Sequence, residues 1–497
     1  MSKLKKAISV LMIGASITFL PVAHAEIMTY DGTGEYIMSD FETPDIAKQR
    51  AKVRAEQHAV EQAGVYVKSY TRTVNNTLVE DEIIAIANTI IKIVDVKYTT
   101  NPISEGGGSF QIVAKIRATV DSNRIDEWLK REQQEKWELV EQNKQLQADK
   151  NKLDKELVDL RKKLASVASM QEKQILDKEI LSTDRKFLAT QKIEEGCRLL
   201  SEGKNVEAIS MFSKAIGLDG NSAGAYYSRG TAYVNQGDYT QAIADLTKAA
   251  TLNPENAKTY NNRGIAYDRQ GNYMQAVADY TRAIVLNPEY ANAYNNRGSV
   301  YAQQGNYSQA IADCTKAITF NQNFAEAYNN RGYAYEHQEK YMQAITDYTK
   351  AIAINPKYEN AYNNRGFVYA NQGNYMQAIA DYTVVIALNP QNAYTYYNRG
   401  RAYDGQGNHT RAISDYNKAL TLNPNLAEAY NNRGIDYGKQ GNYRQAIDDL
   451  TKAITINPKH AKAYQVRGII YKHLGKFQQA KADFAKAKEL SGSKIKS

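Results

Sequence analysis

The chain is poor in the residues that carry chemistry. Its 497 residues include two cysteines and six histidines. Cys197 and Cys314 fall in copies of a sequence repeat with two other copies between them, too far apart for a disulfide within one chain, so stability must come from packing. The histidines, His24, His58, His337, His409, His460 and His473, stand singly, with none of the short spacings that gather metal ligands. No nucleophile elbow, metal motif or phosphate loop occurs. The glycine run at 106 to 108 precedes Ser109 with no Lys-Ser or Lys-Thr and no helix start, so it reads as a hairpin turn. Long apolar runs are also missing, apart from Leu11 to Leu20. The sequence thus predicts no enzyme, no cofactor and no metal site, and no membrane-spanning segment beyond the leader.

That leader is informative. Lys3, Lys5 and Lys6 precede the apolar run, and Pro21 and Ala23-His24-Ala25 follow it, the order of a secretory signal cleaved after Ala25. The run is short for a spanning helix, and no cysteine follows the cleavage site to accept a lipid. A periplasmic or secreted protein is expected. Positive charge, +9 net, is concentrated at the far end, where residues 459–497 carry ten Lys or Arg against Asp483 and Glu489. Such a tail suits an anionic surface, an acidic partner or a solvated capping helix. Nucleic acid is not an expected partner of an exported chain.

From Ala189 onward the sequence repeats every 34 residues without insertion, the mark of a stacked array. Tyr226, Tyr260, Tyr294, Tyr328, Tyr362, Tyr396, Tyr430 and Tyr464 align eight copies, and a worn copy precedes them. In the unit from Ala325 to Tyr358, Tyr328, Gly332 and Tyr335 share one face of a first helix. A turn passes through Glu339-Lys340. Tyr341, Ala344, Ile345, Tyr348, Ala351 and Ile352 then line the buried side of a second helix, which Asn355-Pro356 stops. Each unit is a helical hairpin whose small residues mark close axis crossings.

These positions resemble the tetratricopeptide repeat: an aromatic at the fourth position, Gly at the eighth, Tyr at the eleventh, Ala at the twentieth, an aromatic at the twenty-fourth, Ala at the twenty-seventh and Pro at the thirty-second. The resemblance covers about three fifths of the chain and implies a right-handed superhelix that binds proteins or extended peptides. Departures are local. Cys314 and Gln322 replace an aromatic and Pro, Val385 replaces Ala, and His409 stands where other units carry Tyr or Phe.

Two further polar series run through the units. Where the family carries Leu at the seventh position, every full unit has Arg, from Arg229 to Arg467. The twenty-third is always Asp, from Asp245 to Asp483. Both positions are equally far from the turn, so the sequence predicts an Arg–Asp ladder, with a cationic groove as the lesser alternative. The worn unit has Glu195 and Met211 there and reads as a cap. At the sixth position Asn262, Asn296, Asn330, Asn364, Asn398 and Asn432 run uninterrupted on the first helices, which line the concave side in this family. A row of amides can satisfy an extended peptide's backbone without reading its sequence, whereas the alternative has them bonded to neighbouring helices. Lys258 and Lys462 could begin a carboxylate clamp, but Asn262 and Val466 leave it incomplete.

Residues 26–123 lack the repeat. Gly32 to Ser39 reads as a strand and Asp45 to Ala63 as a helix with an alanine every fourth residue. Val65 to Val74 is β-rich, Asp81 to Lys92 helical, and Val94 to Thr99 and Phe110 to Val120 are strands. With Gly-Thr-Gly-Glu at 32–35, the alanine-rich helix, Ala63-Gly64-Val65-Tyr66-Val67 and the closing strand Val113 to Val120, this small α+β domain is similar to the N-terminal domain of the flagellar assembly protein FlgT and related bacterial envelope domains, which implies an envelope-assembly setting. From Ile125 to Val167, Leu139, Leu146, Leu153, Leu160 and Val167 recur every seven residues, with Asn143, Lys150, Leu157 and Leu164 at the complementary seam. A coiled-coil dimer or trimer is expected, against a solvated spacer as the alternative. Ala168 to Thr183 is a joint or a further helix. The domains are therefore 1–25, 26–123, 124–186 and 187–497. Two functions remain open: an exported scaffold working through its repeats, or an envelope or surface-structure assembly factor docked by its N-terminal domain.

Overall fold

The computed structural model describes residues 27–38, 44–73, 83, 87, 91–102, 110–121, 125 and 133–492. The leader, the turn at 103–109 and most of the helix expected at 81–92 lie outside the described residues. The chain forms two compact units, residues 1–253 and 254–497.

Alternation of exposed and buried residues in Ile27–Met38 (β1) makes a strand with one covered face. It pairs antiparallel with Phe110–Asp121 (β3), which pairs with Lys92–Pro102 (β2) on its other side. The helix Pro44–Thr73 (α1) packs on β1 and β3. Its stripe of Ala47, Ala51, Ala55, Ala59 and Ala63 is fully buried. Gly32 and Gly34 complete the approach: a Cβ would fall 2.0 Å from the Ala55 carbonyl oxygen and 2.1 Å from that of Ala51.

The expected β-rich segment from Val65 to Val74 is corrected by this helix, which runs through Thr73. Val67 extends the four-residue stripe and is fully buried, while Val65 points outward at 72% exposure. Burial along one helical face overrides the β preference of valine here.

Two long helices follow, Gln133–Ser166 (α2) and Met170–Ser201 (α3), joined by three residues. Ala168 to Thr183, left open between joint and helix, is mostly the start of α3. The heptad seam of α2 finds its partner inside the chain. Leu153, Leu157, Leu160 and Leu164 pack with Leu176, Ile180 and Phe187, and Leu146 joins Ala189 and Ile193. Lys150, a polar seam residue, pairs with Glu194 at 3.0 Å. A short link keeps α3 at a high effective concentration, so it fills the seam expected to recruit another copy. The side chains of Leu139 and Asn143 lie outside the description.

Buried charge ties the sheet layer to this helix pair. Arg50 of α1 donates to Asp184 of α3 and, at 3.0 Å, to the Tyr36 hydroxyl of β1, which also accepts from Arg161 of α2. Burial holds the Asp184 carboxyl above its usual range, with Arg50 and Arg161 opposing. The first unit ends with Asn205–Leu218, which closes the worn repeat, and the hairpin Ala223–Gln236 with Tyr239–Leu252.

Seven helix pairs make up the second unit, from Ala257–Arg269 with Tyr273–Leu286 to Ala461–His473 with Phe477–Gly492. Within it, successive first helices pack on one another, and each second helix packs on the first helix of the next pair. The eighth-position glycines set the spacing inside a pair: a Cβ on Gly264, Gly332 or Gly400 would lie 2.7, 2.8 or 2.7 Å from the ring of Tyr280, Tyr348 or Tyr416. The worn unit keeps this contact through Gly196 and Phe212. At the turns, glycine takes a left-handed conformation in the other full units, but the third pair of this unit puts Glu339 there, at φ 60°.

Candidate binding face of the repeats

The seventh and twenty-third positions meet as their distance from the turn requires. Arg331 donates from Nε to Asp347 Oδ2 at 2.7 Å and from Nη2 to Oδ1 at 2.8 Å, and the same fork recurs at 2.7–2.9 Å in all eight full units. The Arg331 side chain is 17% exposed and that of Asp347 6%. Hydrogen bonding to the carboxylate raises the arginine's pKa further above its usual value, against desolvation. The guanidinium also sits 5.5 Å from the Tyr328 ring and 6.0 Å from that of Tyr335. Each guanidinium is matched by a carboxylate of its own unit, so the array has a neutral ladder where a cationic groove was the alternative.

The sequence reading missed the third bond. Arg331 Nη1 donates at 3.1 Å to Thr315 in the preceding unit, as Arg297 does to Thr281, Arg365 to Thr349, Arg399 to Thr383 and Arg467 to Thr451. The ladder therefore runs between units as well as within them. The twenty-fifth position, Thr in six of the eight full units, was the available signal. In the worn unit Glu195 pairs with Lys192 at 2.8 Å instead, while Ser213 accepts from Arg229 at 3.0 Å. It receives the ladder without contributing a rung.

The sixth-position asparagines form a second series. Asn296 donates to Asn261 at 3.1 Å, Asn330 to Asn295 at 2.9 Å and Asn364 to Asn329 at 3.1 Å, each reaching the fifth position of the previous unit. Asn432 reaches the Tyr397 hydroxyl at 3.4 Å because tyrosine replaces the fifth-position asparagine there. Asn262 accepts from Asn261 at 3.3 Å. All six, Asn398 included, are half-buried. An amide has two N–H groups and a carbonyl oxygen with two lone pairs. One N–H of Asn296, Asn330 and Asn364 spans to the neighbouring unit, the bonding to a neighbouring helix that was the alternative for these amides. Three residues further on, Tyr333 and Phe367 are exposed and share the helix face of Asn330 and Asn364.

One corner departs from this wiring. Asp404 lies near the end of the helix Ala393–Gly405, His409 begins His409–Leu422, and Asp436 belongs to Ala427–Lys439. His409 Nδ1 is 3.0 Å from Asp404 Oδ1 and 3.1 Å from Asp436 Oδ1. Lys439 Nζ lies 2.6 Å from Asp404 Oδ1 and 3.3 Å from Asp436 Oδ1. Burial, with Asp404 beside it, pushes the Asp436 carboxyl up to about 7. The expectation of no metal ligands followed from spacing along the chain, but these groups converge from three helices. Cys197 and Cys314 are buried thiols outside any disulfide, each pushed up to about 12 by burial.

Models described as Tetratricopeptide repeat match residues 261–324, 325–358, 347–380, 393–426, 427–460 and 450–482, and one described as TPR repeat matches 230–271 and 368–407. Together they run unbroken over just over half of the chain. No curated protein matches it. Similar solved structures include a tetratricopeptide repeat protein from Parabacteroides merdae, 25% identical over 50% of this chain and 98% of that one, with a TM-score of 0.39. Another is YrrB, a TPR protein with an unusual peptide-binding site, 26% identical over 37% of this chain and 95% of that one, TM-score 0.33. The Cut9-Hcn1 hetero-tetramer of APC/C is 17% identical, covers 62% of this chain and is itself covered to 65%, TM-score 0.44.

Proposed function

The chain belongs to the tetratricopeptide repeat family, whose members bind protein or peptide partners, and from that premise we propose that it is an exported, non-enzymatic scaffold holding extended polypeptide along its first helices. The observation that carries this reading is the division of labour between the two polar series. Arg and Asp satisfy one another and the adjoining Thr, so they hold the stack and offer little charge. The asparagines at 296, 330, 364, 398 and 432 keep amide capacity at a half-buried surface, in line with Asn262 and flanked by the exposed rings of Tyr333 and Phe367. Amides without net charge suit a main chain of any sequence; the rings suit its apolar side chains. Export rests on the leader, and the place of work is the periplasm or beyond. No helix among the described residues is long and apolar enough to cross a membrane.

A second reading draws on the N-terminal domain. The sheet face away from α1 has no cover among the described residues and presents Ile27 and Ile37. In this reading that face docks the chain on an envelope or surface-structure assembly while the repeats add reach. Self-association as a dimer or trimer has less support, since α3 fills the α2 seam.

Photo-crosslinkers placed singly in the full chain at Asn330, at the exposed second-helix residue Met342 and at Ile37 separate these readings in the native envelope. The scaffold predicts polypeptide adducts from position 330 but not from 342. Adducts confined to position 37 would move the function to the sheet domain.

A further inference from the structure

A regular array makes its own exceptions visible. Position seventeen is aromatic in every full unit but one, where it is His409, and position ten is apolar in all but one, where it is Asp436. The two exceptions fall in adjacent units and meet in space. Asp436 has no exposed surface, where a carboxylate is costly, and its ammonium partner, Lys439, is shared with Asp404. The Oδ2 atom of Asp436 has no hydrogen-bond partner, nor does the wholly buried Tyr416 hydroxyl, whose pKa Asp436 and Asp404 help burial to raise. His409 Nδ1 lies close to both carboxylates but has hydrogen-bond geometry with neither.

The spacing fits a coordination polyhedron. One ligand atom from each of Asp404, His409 and Asp436 lies within 4.8 Å of the others. A tetrahedral ion with bonds of about 2.0–2.1 Å has ligand edges of about 3.3 Å, and the two edges at His409 are 3.0 and 3.1 Å. An imidazole nitrogen with two carboxylates selects a transition ion; calcium prefers six to eight oxygens and magnesium an octahedron of oxygen and water. We propose that Asp404, His409 and Asp436 form a binding site for one divalent ion of the zinc class, clasping three helices of two neighbouring repeats, with water completing the coordination. Lys439 is the competing cation. It ends its helix, its side chain is 43% exposed, and its flexible stem lets the ammonium swing to solvent when the ion enters. This site is independent of the asparagine row and acts as a staple between repeats.

The test uses the full-length, untagged mature chain, stripped with chelator, and cobalt(II) or zinc(II) as the probe. Equilibrium dialysis should give one equivalent of zinc per chain, and cobalt should show the intense visible bands of tetrahedral coordination. His409→Tyr and Asp436→Ala restore residues that other repeats carry, so both should keep the helical circular dichroism of the parent. Each should weaken zinc binding at least tenfold and abolish the zinc-induced rise in Tm. Lys439→Gln removes the competitor and should tighten binding. No zinc binding by the parent, or equal binding by His409→Tyr and Asp436→Ala, would reduce the corner to a polar network and overturn the assignment. Looser binding by Lys439→Gln would overturn the displacement.

Discussion

The units from Ala257 to Leu388 and the pair from Ala393 to Ile456 share one backbone and one Arg–Asp fork, but they spend their remaining polar groups differently. In the first stretch asparagines bridge fifth and sixth positions and the tenth position is apolar. In the second, Tyr397 and Asp436 break both habits, and a buried carboxylate collects a histidine, a lysine and another carboxylate. The common fork therefore maintains the stack, which frees other positions to take on local tasks. Repeat proteins add stability unit by unit, so such a change can be confined to one corner.

Cutting the shared element should do the most damage. Asp347→Ala strands a largely buried guanidinium and should cost about 3 kcal/mol, seen as a lower Tm and faster hydrogen exchange in the units on either side. Asp415→Ala, in the departing pair, should cost the same, and a clear inequality would show that the fork is not common to both stretches. Arg331→Leu combined with Asp347→Leu should lose far less than Asp347→Ala alone. Next in size is Gly332→Ala. Its Cβ would press on the Tyr348 ring, and overpacking of this kind costs about 2 kcal/mol by denaturant titration. In chelated buffer Asp436→Ala should raise stability by about 1–2 kcal/mol, because it removes a buried carboxylate with an unpartnered oxygen. The smallest change is Glu339→Gly, which relieves a left-handed non-glycine residue and should add about 1 kcal/mol.

What could be read from the sequence follows the same contrast. The helical hairpins and the Arg–Asp pairing were legible because two uniform positions equidistant from a turn lie at one height on antiparallel helices and carry opposite charges. The Thr contribution was hidden, since a threonine on a second helix looks like any solvated residue until the neighbouring unit is in place. Val65 to Val74 was misread because local β propensity outweighed an alanine stripe whose continuation at Val67 was the better guide. The partner of the α2 seam went unseen because α3 supplies Leu176, Ile180, Phe187 and Ile193 without a clean heptad of its own. Asp404, His409 and Asp436 escaped for another reason: ligands on three helices leave no motif. Two polar exceptions in adjacent units were the only trace.

The claim that the stack is held by one polar series while the other receives a guest has a direct measurement. Fluorescence anisotropy would follow a labelled, unstructured apolar-polar peptide binding to the full chain and to its Asn330→Ala, Asn364→Ala, Asn398→Ala triple variant. Each lost amide bond should cost no more than about 1 kcal/mol of stability, so the variant stays folded at the assay temperature. The account predicts an affinity at least tenfold weaker for the variant; equal affinity in a folded variant would contradict it.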